Sequence, residues 1–170
     1  MSIDWKTLVV VVGCTTLLSV PAFLRGAALD KIDAHFMTHA ARASMMEAHL
    51  GQMAEAQAAR QAVKDFGQQL SKDHTNAYEG LSVLSSKTGE AIPKAIGHDQ
   101  TIEHLAHLKG PSFDRAFLLD EVQSHKAALA TFKTEAEKGE NADVKAWAKS
   151  MIPTLEEHLK TAEALSKKGK

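Results

Sequence analysis

The chain has 170 residues, a formal net charge of −1 and a single cysteine, Cys14. That length suits one domain with an appendage, and nothing in the balanced charge suggests a nucleic-acid patch or an acidic tail. One thiol excludes an internal disulfide framework and any cysteine-based zinc knuckle. Aromatic residues make up only 5 %, while Ala, Leu, Lys, Glu and Gln dominate, which is a helical composition. The nine histidines matter only if they converge.

The first thirty residues read differently from the rest. Thr7 to Leu24 carries no charge and is bounded by Lys6 and Arg25. Such a run is short for a membrane span and long for a signal-peptide centre, so residues 1–30 are expected to be a membrane anchor or a cleaved export signal. Either places the remainder in the periplasm or cell envelope, with a membrane tether favoured. Val11-Val12-Gly13-Cys14 also has the form of a bacterial lipobox, which makes Cys14 a weak candidate for lipidation. Because the run lacks an amphipathic period, it is a poor candidate for a core helix.

From residue 31 to about residue 168 the pattern is helix upon helix. A first apolar stripe runs Phe36, Ala40, Ala43, Glu47, Leu50, Ala54, and a second, out of phase with it, runs Val63, Phe66, Leu70, His74, Ala77, Leu81, Leu84. The break in phase places a turn near residues 58–62. Gly89, Pro93, Gly97 and the Gly110-Pro111 pair mark a long connection with a short helix near 99–108. Ser112 is expected to cap a third helix, with Asp114 in its first turn, and its stripe is Leu118, Val122, His125, Leu129, Phe132, Ala136. After Gly139 and Asn141, a fourth stripe runs Val144, Trp147, Met151, Leu155, His158, Ala162, Leu165. The fold class is therefore all-α: a four-helix bundle with a long connection between its second and third long helices.

Each stripe holds one residue that does not belong: Glu47, His74, His125 and His158. Glu47 lies about thirteen residues before the first turn and His74 about fourteen after it; His125 and His158 are matched across the last turn to within roughly one helical turn. Burying an unpaired carboxylate or imidazolium costs several kcal/mol, so four such residues at one height must satisfy one another or share an ion. Three imidazoles and a carboxylate suit a divalent first-row metal, zinc or copper before iron or manganese. The bland alternative is a buried hydrogen-bonded Glu–His cluster. Asp73 and Glu157, beside two of the histidines, could only support them from outside.

These same residues carry a resemblance. Asp33-x-x-Phe36, Ala40, Glu47 with Gly51, VKDFGQQLSKDHTNA, GEAIP, Leu105 to Gly110, FDRAF leading to His125, and MIPTLEEHLKTAEAL together resemble the bacterial DUF4142 family. The resemblance implies an exported protein with a ferritin-like bundle and no settled activity, and its pattern includes Glu47, His74, Asp114, His125 and His158. It does not bring ferritin chemistry with it, since the Glu-x-x-His pairs of a di-iron centre are missing from the relevant stripes.

Met37, Met45, Met46 and Met53 crowd the first helix with His35, His39 and His49. They read as core filling and solvated neighbours more readily than as a copper-handling face. His98, His104 and His107 are expected at the surface. Gly51 is expected to make room for a helix contact or for the site, and Pro153 either kinks the last helix or begins a second segment. The leading expectation is an envelope protein that binds one metal through Glu47, His74, His125 and His158 as store, sensor or staple. A mononuclear redox or hydrolytic metalloenzyme, or a metal-free scaffold subunit of a membrane complex, are the alternatives. The expected partners are the metal, the membrane through the N-terminal segment, and an envelope protein, with no nucleic acid.

Overall fold

The computed structural model describes residues 29–168. Cys14 and the expected anchor or signal segment lie outside the described residues. Five helices follow: α1 Lys31–Gln57, α2 Gln61–Thr88, α3 Gln100–Ala106, α4 Gly110–Lys138 and α5 Ala142–Lys167. Among the described residues there is no strand, and no helix is long and apolar enough to cross a membrane.

Several boundaries have a local cause. The Asp30 carboxylate accepts from Ile32 N at the start of α1, and Asn141 accepts from Asp143 N and Val144 N at the start of α5. Asp99 does the same for the short α3. Helix α2 ends on Gly89, whose φ of 77° is the left-handed conformation that closes a helix without a Cβ penalty. Helix α4 begins at Gly110, ahead of the expected start, with Pro111 in its first turn. Ser112 is therefore not its N-cap; its hydroxyl donates to the Lys109 carbonyl instead. Pro153 does not divide α5, which runs unbroken through it.

The α1–α2 and α4–α5 hairpins pack into a bundle in which α1 touches α2 and α4, and α5 touches α4 and α2. All four neighbouring pairs run antiparallel, because the start of α1 meets the α4–α5 turn and the start of α4 meets the α1–α2 turn. The connection through α3 must then travel the length of the bundle. It folds back along α2, where the Tyr78 hydroxyl donates to the Pro93 carbonyl.

Two buried aspartates hold these ends. Asp33 accepts from Glu140 N and Asn141 N, at 3.1 and 2.8 Å, and so caps the turn of the opposite hairpin. Asp114 was expected to serve its own helix start. Instead it reaches across to accept from Ala59 N, Arg60 N and the Arg60 side chain, at 2.8, 3.2 and 3.0 Å. Helix α2, with no acid in its own first turn, thus receives one from the partner hairpin, and α5 receives a second beside its own Asp143, where the helix dipole favours negative charge.

Between the ends the apolar core is split. One cluster, around Phe36, Met37, Leu81, Phe132 and Val144, fills the Asp33 end. The other, around Leu50, Phe66, Leu70, Phe113 and Phe117, fills the Asp114 end. Full burial of each such side chain stabilises the fold by about 1.5–3 kcal/mol. Across the seam of the first hairpin, Gly51 and Gly67 let α1 and α2 close up: a Cβ on Gly51 would collide with the Gly67 carbonyl and stand 2.7 Å from Ser71 N. Along each long helix a buried polar residue stands between the two clusters.

Candidate metal centre

That dividing layer contains Ser44 and Glu47 from α1, His74 from α2, Glu121 and His125 from α4 and His158 from α5, all buried. The four residues singled out by periodicity are thus all inside and at one level. The structure arranges them as two groups, not one. One ring nitrogen from each of His74, His125 and His158 lies within 4.8 Å of the others, and a second group joins Glu47, Glu121 and His125 under the same limit. His125 belongs to both. Glu47 groups with Glu121 and His125, not with His74 and His158.

The three rings form a nearly equilateral triangle, with centroids 5.6, 5.4 and 5.3 Å apart. Their hydrogen bonds fix which nitrogens face inward. His125 Nδ1 is 3.0 Å from the Glu121 backbone carbonyl, which can only accept, so Nδ1 carries the hydrogen and Nε2 keeps its lone pair. His158 Nε2 donates to the Asp73 carboxylate at 2.9 Å, leaving Nδ1 with its lone pair. Those two bare nitrogens, His125 Nε2 and His158 Nδ1, face each other at 3.3 Å. The buried Nε2 of His74 has no hydrogen-bond partner.

Two lone pairs aimed at one another repel unless a cation lies between them. A proton is disfavoured here: burial holds His74 well below the usual imidazole range, and burial also lowers His158 despite its bond to Asp73. A divalent ion fits better. Nitrogen ligands about 2.0–2.1 Å from a tetrahedral zinc are themselves about 3.3–3.4 Å apart. The back-bonding of His125 to a carbonyl and of His158 to a carboxylate is the support that orients metal-ligating imidazoles. Asp73 thus bonds His158 from outside the triad, whereas Glu157 is exposed.

The carboxylate group is arranged differently. Glu121 Oε2 is 3.3 Å from His125 Nδ1, but the hydrogen on that nitrogen goes to the backbone carbonyl. Both Glu121 oxygens and Glu47 Oε2 are buried without a hydrogen-bond partner. Burial pushes Glu121 up to about 8, and burial, reinforced by Glu121, raises Glu47 well above the ordinary carboxylate range. Periodicity overlooked Glu121 because Val122, next to it, satisfies the same stripe; the one available signal was its position four residues before His125.

A groove of about 430 Å³ leads from solvent to His74, lined by Met45, His49, Tyr78 and Lys94 among others. It gives the buried site a way out between α1, α2 and the connection. The remaining histidines, His35, His39, His49, His98, His104 and His107, are exposed, while Met37 and Met53 fill the core.

No curated protein matches the chain in sequence. Among solved structures it is similar to a DUF305 fragment from Deinococcus radiodurans, with 12 % identity and a TM-score of 0.74 over 84 % of this chain and 99 % of that one. It is also similar to a DUF305 protein from Streptomyces coelicolor described as a candidate secreted protein, with 13 % identity and a TM-score of 0.70 over 81 % and 93 %. At such identities the likeness concerns the helical fold alone. Residues 19–165 match the profile of the domain of unknown function DUF4142, which covers both hairpins and the whole polar layer, and the chain belongs to that family.

Proposed function

We propose that this protein binds a divalent first-row metal ion in the core of its bundle through His74, His125 and His158, and does so in the cell envelope. The observation that carries the reading is the pair of bare nitrogens, His125 Nε2 and His158 Nδ1, held 3.3 Å apart by hydrogen bonds on their outer sides. A borderline ion that accepts imidazole, zinc or copper, suits this set better than iron or manganese. Glu47, expected as the fourth ligand, is instead offered as a charge-balancing neighbour. The envelope location is supported by the uncharged run Thr7 to Leu24 and by the secreted-protein description of the Streptomyces structural neighbour.

Metal analysis of the full chain, purified without added metal, tests the reading against the His74→Ala and His158→Ala variants. Near-stoichiometric metal in the wild type and its loss from both variants is the expected result. Equal, substoichiometric metal in all three would remove the proposal.

A metalloenzyme is the second reading, favoured by one observation: the groove that reaches His74 would admit a small exogenous ligand to an open coordination position. Azide added to the cobalt-substituted protein should then shift its visible absorption. An unchanged spectrum, together with no turnover of superoxide or peroxide, leaves metal binding as the role.

A further inference from the structure

The three imidazoles leave part of the polar layer unexplained. Glu47 and Glu121 are 4 % and 0 % exposed, and three of their four carboxylate oxygens have no hydrogen-bond partner. Orphaned buried acceptors at this density are uncommon in folded proteins and call for a ligand. Glu121 Oε2 lies 3.3 Å from His125 Nδ1, opposite the nitrogen that faces His158, and Glu47 joins the same group.

We infer that Glu47, Glu121 and Nδ1 of His125 form a second divalent-cation site, so that the layer takes two ions with the His125 ring between them. The inference rests on the proposed imidazole site, because His125 must present Nε2 to the first ion. Filling the second site requires Nδ1 to give up the hydrogen it directs at the Glu121 carbonyl. That proton and those that burial keeps on the Glu47 and Glu121 carboxyls leave to solvent, and the ring becomes an imidazolate ligating through both nitrogens. Charge then balances inside the bundle. Two divalent ions bring four positive charges, and Glu47, Glu121, Asp73 and the deprotonated ring supply four negative ones. With a carboxylate pair and one nitrogen, the second site prefers a harder ion than the first, and zinc satisfies both.

Zinc titration of the metal-stripped full chain against a chromophoric chelator tests this. The wild type should bind two zinc ions per chain and the Glu47→Gln/Glu121→Gln double variant one. One ion in both proteins overturns the second site and leaves the imidazole site standing; none in the wild type removes both. Copper(II) supplies a readout that needs no variant. With two copper ions bound, an imidazolate bridge couples their spins, and the paramagnetic resonance signal integrates to well under two spins per chain. Two full, uncoupled spins would overturn the shared ring.

Discussion

Buried acids occur in two regions of this molecule, and they are treated in opposite ways. At the bundle ends, Asp33 and Asp114 each accept two backbone N–H groups from the opposite hairpin, and Asp114 also accepts from Arg60. At the midline, Glu47 and Glu121 sit equally deep with three orphaned oxygens between them. An acid whose oxygens all find donors is explained by the fold. Acids whose oxygens find no donor are kept protonated by burial, as Glu47 and Glu121 are, and a cation can replace those protons. The ends read as architecture and the middle as a site.

That contrast can be broken most sharply at Asp114. Asp114→Ala should lower stability by about 3 kcal/mol, since it uncaps α2 and strands Arg60, which can be measured by denaturant unfolding. Its zinc stoichiometry should match the wild type; a joint loss of both would show that ends and middle are not separable. Next in size, free zinc at a hundredfold above its dissociation constant should stabilise wild type by about 2.7 kcal/mol. Asp114→Ala should gain as much from zinc, and His158→Ala nothing. A full zinc response in His158→Ala would locate the ion elsewhere.

The third effect concerns Glu135, an acid at the ends that resembles those in the middle. It is buried beside Asp33, with Oε1 unpartnered, and burial and then Asp33 push it up to about 7. The folded state thus keeps a proton that the unfolded chain, near the ordinary 4.5, releases. Its contribution is fully present below the unfolded value and is lost as pH rises through about 7, a change of at most about 3 kcal/mol. Glu135→Gln should flatten stability across that window. An identical pH profile in the variant would reassign the effect to another group.

Much of this was legible in the sequence where periodicity had one solution. The α2 stripe, Val63, Phe66, Leu70, His74, Ala77, Leu81, Leu84, is buried at every position. The intruding histidine stood out because every neighbour in the row was apolar. On α4 the row had two solutions. Steps of three then four from Leu118 pass through Glu121 to His125, and steps of four then three pass through Val122. Both keep the helical period, and the apolar residue looked like the buried one. Glu121 is buried and Val122 only partly so. The same ambiguity hid Glu135 behind Ala136. The reach of Asp114 was illegible for another reason: its donors, Ala59 and Arg60, are backbone groups more than fifty positions away, with no side-chain pattern to betray them. Gly67 escaped notice likewise, because a glycine's reason is the backbone it lies against.

The reciprocal aspartates also bear on the order in which the chain can assemble. The N–H groups that Asp33 secures belong to residues 140 and 141, so they are synthesised more than a hundred positions later. The first hairpin therefore emerges with one clasp unfilled and its own turn still awaiting Asp114. Neither hairpin completes its end contacts without the other, so both clasps can close only after residue 141 has been made. Contacts of such long sequence separation slow that closure.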